Sequence, residues 1–336
     1  MSANDLYPLM FAPVYMKRMW GGTMMTELLN REVPFNGVDP IGESWELVDR
    51  EGEQSVVVNG IHAGKTMEEL LKLFRSDILG PKGASCERFP LLVKLIDAGE
   101  RLSLQVHPDA EACQKIGGDA QPKTEMWYIL GCREDGCILA GLSSRATKLR
   151  LTESINSPEV ENLLQKFPSE AGDGYFITSG TLHAIGGGNL ILEIQQNSDT
   201  TYRISDWGRL DQHGNPRELH VEKGMMSINF SNRSGCRIAG DVNNTDYNRK
   251  IPMVKDCPFF RIEALHLANE SQETTADSGS FHLLSSASGS FVIRCSTGEI
   301  TIKMGETALL PYSIGNYTVT PVSNGDGKNI LIRTTL

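Results

Sequence analysis

The chain has 336 residues, 40% of them hydrophobic and 22% charged, so it can bury a substantial core and lacks the composition of a disordered protein. Its net charge of -10 argues against a nucleic-acid-binding surface, because contacts to phosphates require clustered lysines and arginines. The first 20 residues predict neither a signal peptide nor a membrane-spanning helix, and no other segment reaches the apolar length that a bilayer requires.

The cysteines indicate a reducing compartment. The chain has seven of them, an odd number at scattered positions, and no CxxC pair occurs. We interpret them as reduced thiols and predict a cytoplasmic protein without a membrane partner. No sequence feature indicates the oligomeric state.

The first half of the chain alternates predicted helices with short strands. Apolar side chains at helical spacing, with a glycine after them, predict a helix over about 66–80. The stretch LSLQVHPDA at 102–110 is typical of a buried strand that ends at Pro108. Residues 108–118 predict a second short helix, which its two glycines close.

The middle of the chain is richer in strands. KTEMWYIL at 123–130 is strongly strand-like. Residues 157–167 begin with a serine cap and have Pro158 at the first helical position, which predicts a third helix. SGTLHAIGGG at 179–188 contains glycines that allow tight turns.

The segment LEIQQNSDTTYRISDWGR at 192–209 places polar side chains on same-face positions of strands. The first same-face set is Glu193, Gln195 and Asn197, and the second is Thr201, Arg203 and Ser205. A carboxylate and an arginine that point into a site would suit catalysis. The alternative interpretation is the solvated face of an edge strand, where such charges are common.

The C-terminal third predicts a β-sandwich or barrel. Residues 289–322 alternate between apolar and polar side chains, with a turn at 296–298. They also repeat an earlier pattern. Asn316 follows the segment 306–311 at the same distance along the chain at which His183 follows the segment 173–178. This predicts two related β units, although short strand-turn-strand motifs also resemble one another by chance.

Four polar residues in apolar surroundings form a candidate metal site. Gln105 and His107 are two apart on one predicted strand and therefore project from the same face. Glu125 and His183 lie in the two later strand segments. Two imidazoles with oxygen ligands suit Zn²⁺ or another divalent first-row ion. Taken singly, each residue is better explained as a satisfied buried polar group than as a ligand.

Several motifs together resemble the type I phosphomannose isomerases, in particular their short bacterial form. These are QVHPD at 105–109, KTEMWY at 123–128, GTLHAIG at 180–186 and EIQQNSDTTYRISDWGR at 193–209, with WGG at 20–22 and GESWE at 42–46. The resemblance covers roughly residues 7 to 210. It implies a mainly β fold of two cupin (jelly-roll) barrels, in which residues 1–240 form a catalytic domain with the helical insertions and residues 241–336 form a second cupin without metal.

The resemblance also implies the roles of individual residues. The metal ligands would be Gln105, His107, Glu125 and His183, which would hold one Zn²⁺ per chain or another divalent ion. The catalytic residues would be Arg203, Glu193 and Lys123, and the substrate contacts would be Lys94, Ser103, Lys123 and Arg203. The remaining histidines, including His282, show no partner pattern, and we expect them to be surface or structural residues.

The implied activity is the interconversion of mannose 6-phosphate and fructose 6-phosphate through a cis-enediol. A pocket base carries the proton between C2 and C1, and both Glu193 and Lys123 are candidates for it. Two alternatives remain open on the sequence: another metal-dependent cupin enzyme, such as an oxygen-using dioxygenase, or a cupin that binds sugar phosphate without converting it.

Overall fold

A computed structural model describes residues 5–34, 40–155, 157–211, 213–232, 235–241, 247–322 and 328–336. The chain divides into two compact units. We call the unit made of Tyr15–Ser44 and Leu95–Gly240 the central unit. The terminal unit consists of Met1–Val14, Trp45–Lys94 and Asp241–Leu336. The division into domains 1–240 and 241–336 stays a prediction.

Two sheets carry the strands of the central unit. The larger sheet has the spatial order β13 (Arg237–Ile238), β9 (Gly174–Ile177), β6 (Glu125–Cys132), β11 (Asn189–Gln196), β4 (Leu91–Ala98), β3 (Ile41–Leu47) and β2 (Val14–Lys17). Of these strands, β2, β3 and β4 lie only in part within the central unit. The smaller sheet has the order β12 (Tyr202–Ser205), β5 (Leu104–Val106), β10 (His183–Ile185), β7 (Cys137–Leu142) and β8 (Leu164–Pro168). The pairs β13–β9, β9–β6 and β6–β11 and every pair of the smaller sheet are antiparallel, which is typical of jelly-roll architectures.

The inner strands of the central unit are covered on both faces. β6 pairs directly with β11, and nearly every residue of both strands is buried. Such strands need apolar side chains throughout, and the run from Met126 to Leu130 supplies them. Glu125, Glu193 and Gln195 are exceptions in these two strands, and a buried polar group requires a partner or a ligand.

The terminal unit contains two further sheets. The larger has the order β1 (Leu9–Met10), β20 (Thr307–Leu310), β17 (His282–Ser288), β22 (Ile330–Thr335), β15 (Arg261–His266) and β14 (Arg249–Val254). The smaller has the order β16 (Ser271–Thr274), β21 (Asn316–Val322), β18 (Ser290–Cys295) and β19 (Gly298–Ile302). Fully buried Phe291, Ile293 and Val319 contribute to its apolar core.

The strand bounds agree with the predicted repeat. β9 and β20 occupy the two segments that were aligned, and β10 and β21 begin at His183 and Asn316 respectively. The predicted turn at 296–298 also falls where β18 ends and β19 begins. The two units therefore place strands at equivalent points of their sequences.

Helices are short and lie between the strands. They are α1 (Met24–Leu29), α2 (Met67–Leu79), α3 (Ala110–Ile116), α4 (Lys148–Ser154) and α5 (Val221–Ser227), with 3-10 turns at Gly60–His62, Pro81–Gly83, Pro158–Leu163 and Tyr312–Ile314. α2 begins with a capping box between Thr66 and Glu69, and the Asp109 side chain caps α3. Among the described residues, no helix is both long and apolar enough to cross a membrane.

One predicted helix was wrong in its second half. Residues 158–163 form a 3-10 helix, but Leu164–Pro168 form β8, which pairs with β7. Every second residue of β8 is less exposed, as expected for a strand. The backbone of β8 forms its hydrogen bonds with β7, which is distant in sequence. Tertiary pairing therefore overrode a local helical pattern.

Candidate metal centre

Strand pairing brings the predicted polar residues together from distant parts of the chain. His183, the first residue of β10, lies opposite Gln105 of β5, and Arg203 of β12 lies opposite Gln105 on the other side. Glu125, the first residue of β6, lies opposite Gln195 of β11. Antiparallel register thus gathers side chains that the sequence separates by up to about a hundred positions.

The two imidazoles and the Glu125 carboxylate form a compact cluster. His107 Nε2 lies 3.4 Å from Glu125 Oε2, and His183 Nε2 lies 3.5 Å from Glu125 Oε1. One ligand atom from each of the three residues lies within 4.8 Å of the other two. All three side chains are fully buried. Gln105 borders the cluster, with its Nε2 at 3.3 Å from His183 Nε2.

Backbone carbonyls determine which imidazole nitrogens carry hydrogen. His107 Nδ1 lies 2.9 Å from the carbonyl oxygen of Thr200, and His183 Nδ1 lies 2.9 Å from that of Thr181. A carbonyl oxygen only accepts, so both Nδ1 atoms must donate. Burial lowers the pKa of both histidines, to about 3 for His183, and keeps the imidazoles neutral. Each Nε2 therefore presents a lone pair to the cluster.

The cluster consists of acceptors that face acceptors. Among the described residues, no hydrogen-bond donor satisfies His107 Nε2 or Glu125 Oε1, and Glu125 Oε2 has only the Lys123 ammonium beside it. Buried acceptors without donors are destabilising by about 1–3 kcal/mol each. A divalent cation would satisfy all of them at once, and two imidazoles with a carboxylate suit such an ion. Gln105 would add its amide oxygen after a flip of the amide, whose two ends are nearly isosteric.

Lys123 supplies one positive charge beside this cluster. Its Nζ lies 2.9 Å from Glu125 Oε2 in a buried ion pair. Burial disfavours the charged lysine, but the negative charges of Glu125 and Glu193 outweigh that effect and raise its pKa. Burial alone would raise the pKa of Glu125, but the same ammonium holds it well below its usual range. Lys123 is therefore protonated and Glu125 is ionised.

Glu193 and Trp127 form a second buried pair on the same two strands. The indole Nε1 of Trp127 donates to Glu193 Oε1 at 2.9 Å, and register places the two residues opposite each other. Trp127 also packs its ring edge-on to His183, with 5.2 Å between ring centroids. This contact fixes the Glu193 carboxylate near the histidine cluster.

Arg203 lies in a group of three arginines around one carboxylate. Its Nη1 donates to the carbonyl oxygen of Glu218 at 2.7 Å, while its buried Nε has no hydrogen-bond partner among the described residues. Asp206 accepts from Arg209 Nη2 at 2.7 Å and from Arg217 Nε at 2.8 Å. Burial and the charges of these two arginines lower the pKa of Arg203. The group therefore carries an excess of positive charge.

Two of the predicted substrate contacts, Ser103 and Lys94, lie outside the histidine cluster. Ser103 is buried just before β5. Lys94 is buried on β4, with its Nζ 5.0 Å from the centre of the Trp45 ring, within the terminal unit. The substrate-contact role of both residues stays a prediction.

Sequence reasoning missed three side chains that the structure associates with the site: Trp127, Arg209 and Arg217. Trp127 and Arg209 lie inside the quoted motifs, so their position in KTEMWY and SDWGR was an available signal. Arg217 lies outside every motif, and only its contact with Asp206 reveals it.

Comparisons with known proteins agree with this arrangement. The family model for the catalytic domain of type I phosphomannose isomerase matches residues 9–128, and that for the mannose-6-phosphate isomerase cupin domain matches residues 250–333. Mannose-6-phosphate isomerase ManA of Bacillus subtilis is 35% identical over 317 residues, which cover 92% of this chain and 95% of that protein. Mannose-6-phosphate isomerase of Streptococcus mutans is 30% identical over 311 residues, with coverage of 92% and 94%.

Solved structures give the same result for the fold. The crystal structure of mannose 6-phosphate isomerase from Bacillus subtilis superposes with a TM-score of 0.81 at 30% identity, over 98% of this chain and 100% of that chain. A structure from Archaeoglobus fulgidus, described as a putative mannosephosphate isomerase, superposes with a TM-score of 0.76 at 23% identity, over 99% of both chains, which bears on the fold alone. The predicted mainly β cupin fold is confirmed.

Proposed function

The chain belongs to the type I phosphomannose isomerase family, and from that premise we propose that it interconverts mannose 6-phosphate and fructose 6-phosphate. The observation that carries the proposal is the buried cluster of His107, Glu125 and His183, in which His107 Nε2 and Glu125 Oε1 lack a donor among the described residues. An isomerisation through an enediol can use such a cation site together with a base and a cationic group, and the central unit contains candidates for all three.

We assign one Zn²⁺ per chain to this cluster, with Gln105, His107, Glu125 and His183 as ligands. The donor set supports the assignment, because zinc accepts imidazole nitrogen together with carboxylate and amide oxygen. When bound, the ion would act as a Lewis acid that stabilises negative charge on the sugar oxygens at C1 and C2. The carbonyls of Thr200 and Thr181 hold the two imidazoles in the required tautomer.

We assign the proton transfer between C2 and C1 to Glu193. A single carboxylate can remove the proton from one carbon and return it to the other on the same face of a cis-enediol. Trp127 positions this carboxylate by a hydrogen bond at 2.9 Å. The rival base, Lys123, holds its proton in the ion pair with Glu125. Lys123 is better suited to stabilise developing negative charge beside the ligand carboxylate.

We assign Arg203 to the substrate's anionic groups. Its buried Nε lacks a partner, and Arg209 and Arg217 add positive charge around it. This excess explains how a chain with a net charge of -10 attracts a phosphorylated sugar. Lys94, Ser103 and Lys123 remain the predicted additional contacts to the substrate.

The test is an assay in which mannose 6-phosphate is supplied and fructose 6-phosphate is converted onward to glucose 6-phosphate for detection. We expect turnover by the purified protein, loss of turnover after chelation, and recovery with Zn²⁺. Oxygen uptake should stay at background throughout. Full activity in protein that contains no metal by elemental analysis would refute the proposal.

We also place the protein in the cytoplasm. All seven cysteines are free thiols, which supports a reducing compartment. Fractionation of cells that express the protein tests this assignment, with activity expected in the fraction that holds other enzymes of sugar-phosphate metabolism.

A further inference from the structure

Strand register gives the terminal unit a position equivalent to the metal centre. In the central unit, Glu125 lies opposite Ile177; at the equivalent point of the terminal unit, His282 lies opposite Leu310. In the same way, His183 lies opposite Gln105 in the central unit, and Asn316 lies opposite Thr274 in the terminal unit. Arg333 lies opposite Leu284 on the next strand, as Glu193 lies opposite Trp127. In this way Gln105, Glu125, His183 and Glu193 correspond to Thr274, His282, Asn316 and Arg333.

The equivalent position is polar, but its chemistry is different, and only His282 of the four residues is buried while Asn316 is exposed. None of the four residues carries a carboxylate. His282 is almost fully buried, with Nδ1 at 2.6 Å from the hydroxyl of Tyr317 and Nε2 at 3.1 Å from the hydroxyl of Ser278. Burial lowers the pKa of His282 to about 3, so the imidazole is neutral. Both ring nitrogens have partners, and the position does not suit a metal ion.

Donors and acceptors alternate around Arg333. Its guanidinium pairs with the carboxylates of Glu263 and Glu273. Buried Glu273 also accepts from Lys250 at 2.7 Å and from Ser271 at 2.6 Å. Two cations thus offset two anions. A wall of this kind offers charged donors and acceptors side by side. A sugar hydroxyl group can donate a hydrogen bond to the one and accept a hydrogen bond from the other.

These groups line a cavity of about 530 Å³ within the terminal unit. That volume is within the range of small-molecule sites, about 300–1,000 Å³. His282, Arg333, Glu263 and Glu273 line it together with the hydroxyl of Ser278. A polar, concave space of this size is built for a polar ligand rather than for an apolar one.

The mouth of the cavity is richer in cations than in anions. Lys82, Lys255 and Arg261 line it, against the exposed carboxylates of Asp256 and Asp277. Among the described residues, neither Lys255 nor Arg261 has a carboxylate within ion-pair distance. Burial and the charge of Arg261 lower the pKa of Lys82, which donates to the carbonyl oxygen of Leu336 at 2.8 Å. Two cations that repel each other at a cavity mouth favour an anionic group between them.

We propose that this cavity is a second ligand site, which binds a small phosphorylated sugar or sugar alcohol without converting it. The hydroxyl groups contact the inner wall of Glu263, Glu273 and His282, and the phosphate lies between Lys82 and Arg261. The site has neither a metal cluster nor a carboxylate equivalent to Glu193, so binding there leads to no isomerisation. The inference does not rest on the function assigned to the central unit.

Equilibrium dialysis with radiolabelled glucitol 6-phosphate tests the proposal. This sugar alcohol phosphate has no carbonyl group and cannot be isomerised. The intact, metal-loaded wild type is compared with the double variant Lys82→Ala/Arg261→Ala, whose altered side chains are exposed. We expect the double variant to bind one molecule per chain fewer than the wild type. Equal stoichiometry in the two proteins would overturn the proposal.

Two controls make the result specific. Lys303→Ala removes an exposed cation of the same unit that does not line the cavity, and it should keep the wild-type stoichiometry. Inorganic phosphate should displace the ligand about tenfold less effectively than unlabelled glucitol 6-phosphate, and equal displacement would refute the sugar-binding part. Isomerase activity in the same samples reports on the central unit alone, so a failure of either assignment is recognisable separately.

Discussion

The central and terminal units bury polar clusters at equivalent strand positions, and the two clusters differ in whether they are balanced. In the central unit, imidazole lone pairs face a carboxylate, and the donors of Lys123 and Gln105 are too few to satisfy all of these acceptors. In the terminal unit, His282 has two hydroxyl partners, and Arg333 is matched by two carboxylates. A cluster with too few donors requires a cation to be stable, whereas a balanced cluster is stable on its own. The number of donors, rather than the strand framework, therefore separates a metal site from a polar pocket.

Removal of one imidazole should have the largest effect. His183→Ala deletes a ligand of the unbalanced cluster, and we expect loss of bound metal and a fall in kcat/KM of about 10³-fold or more. Elemental analysis and the coupled assay measure both. His282→Gln at the balanced cluster is the matched control and should keep its metal content. Full metal occupancy in the His183 variant would contradict the ligand assignment.

Removal of the proposed base should separate chemistry from metal binding. Glu193→Gln keeps an acceptor for the Trp127 indole, so the strand packing is preserved while the base is lost. We expect kcat to fall by about 10²–10⁴-fold with metal retained.

Lys123→Arg, which keeps the charge beside Glu125, is the comparison for Glu193→Gln. It should lose less activity than Glu193→Gln. The opposite ranking of the two variants would transfer the role of base to Lys123.

Removal of the buried guanidinium should affect catalysis without affecting the metal. Arg203→Ala deletes a cation whose Nε lacks a partner, and we expect kcat/KM to fall by about 10²–10³-fold at unchanged metal content. Arg133→Ala, at an exposed ion pair with Glu27, is the control and should behave as the wild type does. Wild-type turnover by the Arg203 variant would remove this residue from the mechanism.

The buried carboxyl group of Asp97 extends the comparison between clusters, because a bound proton rather than a metal cation would stabilise it. Asp97 accepts from the backbone N–H of Met25 at 2.6 Å, but its buried Oδ1 has no donor among the described residues. Burial raises the pKa of Asp97 to about 6, with a smaller opposing effect from the backbone hydrogen bonds. The folded state therefore binds this proton more tightly than the unfolded state does.

The resulting pH dependence has a definite sign. Because the pKa is raised from 3.8 to about 6, the contribution of Asp97 to the free energy of unfolding is complete below pH 3.8 and is lost as the pH rises to about 6. The complete loss amounts to about 3 kcal/mol. In urea unfolding at pH 4 and pH 7, Asp97→Asn should lack this decrease. Asp119→Asn, at an exposed position, should retain it, and identical pH profiles for wild type and Asp97→Asn would rule the effect out.

Much of the site was predictable because the family motifs fall on its ligands. Gln105, His107, Glu125 and His183 were named from sequence. Antiparallel register places Gln105 opposite His183, while Glu125 comes from a strand of the other sheet. The helices α2 and α3 were also predicted, since the apolar spacing of the first and the glycines that follow both are local signals.

The remainder depends on contacts that no local pattern encodes. β8 was mistaken for helix because its pairing with β7 is not visible in residues 157–167. Helices α1, α4 and α5 have only six or seven residues, too few for a helical period to be apparent. His282 was expected to be a surface or structural residue, and only its position opposite Leu310 identifies it as the counterpart of a ligand. Arg217 was missed because its relation to Arg203 arises through Asp206.

The carbonyls that accept from His107 and His183 have a consequence for substitutions in this protein. Both acceptors belong to the main chain, at Thr200 and Thr181, so replacing either threonine side chain leaves the orienting oxygen in place. The orientation of each imidazole ring therefore depends on the backbone conformation of the loop that contains the accepting carbonyl. Substitutions at positions 181 and 200 should be tolerated as long as the backbone conformation of the loop is kept. An insertion of one residue in either loop would instead move the accepting carbonyl and rotate an imidazole away from the cluster.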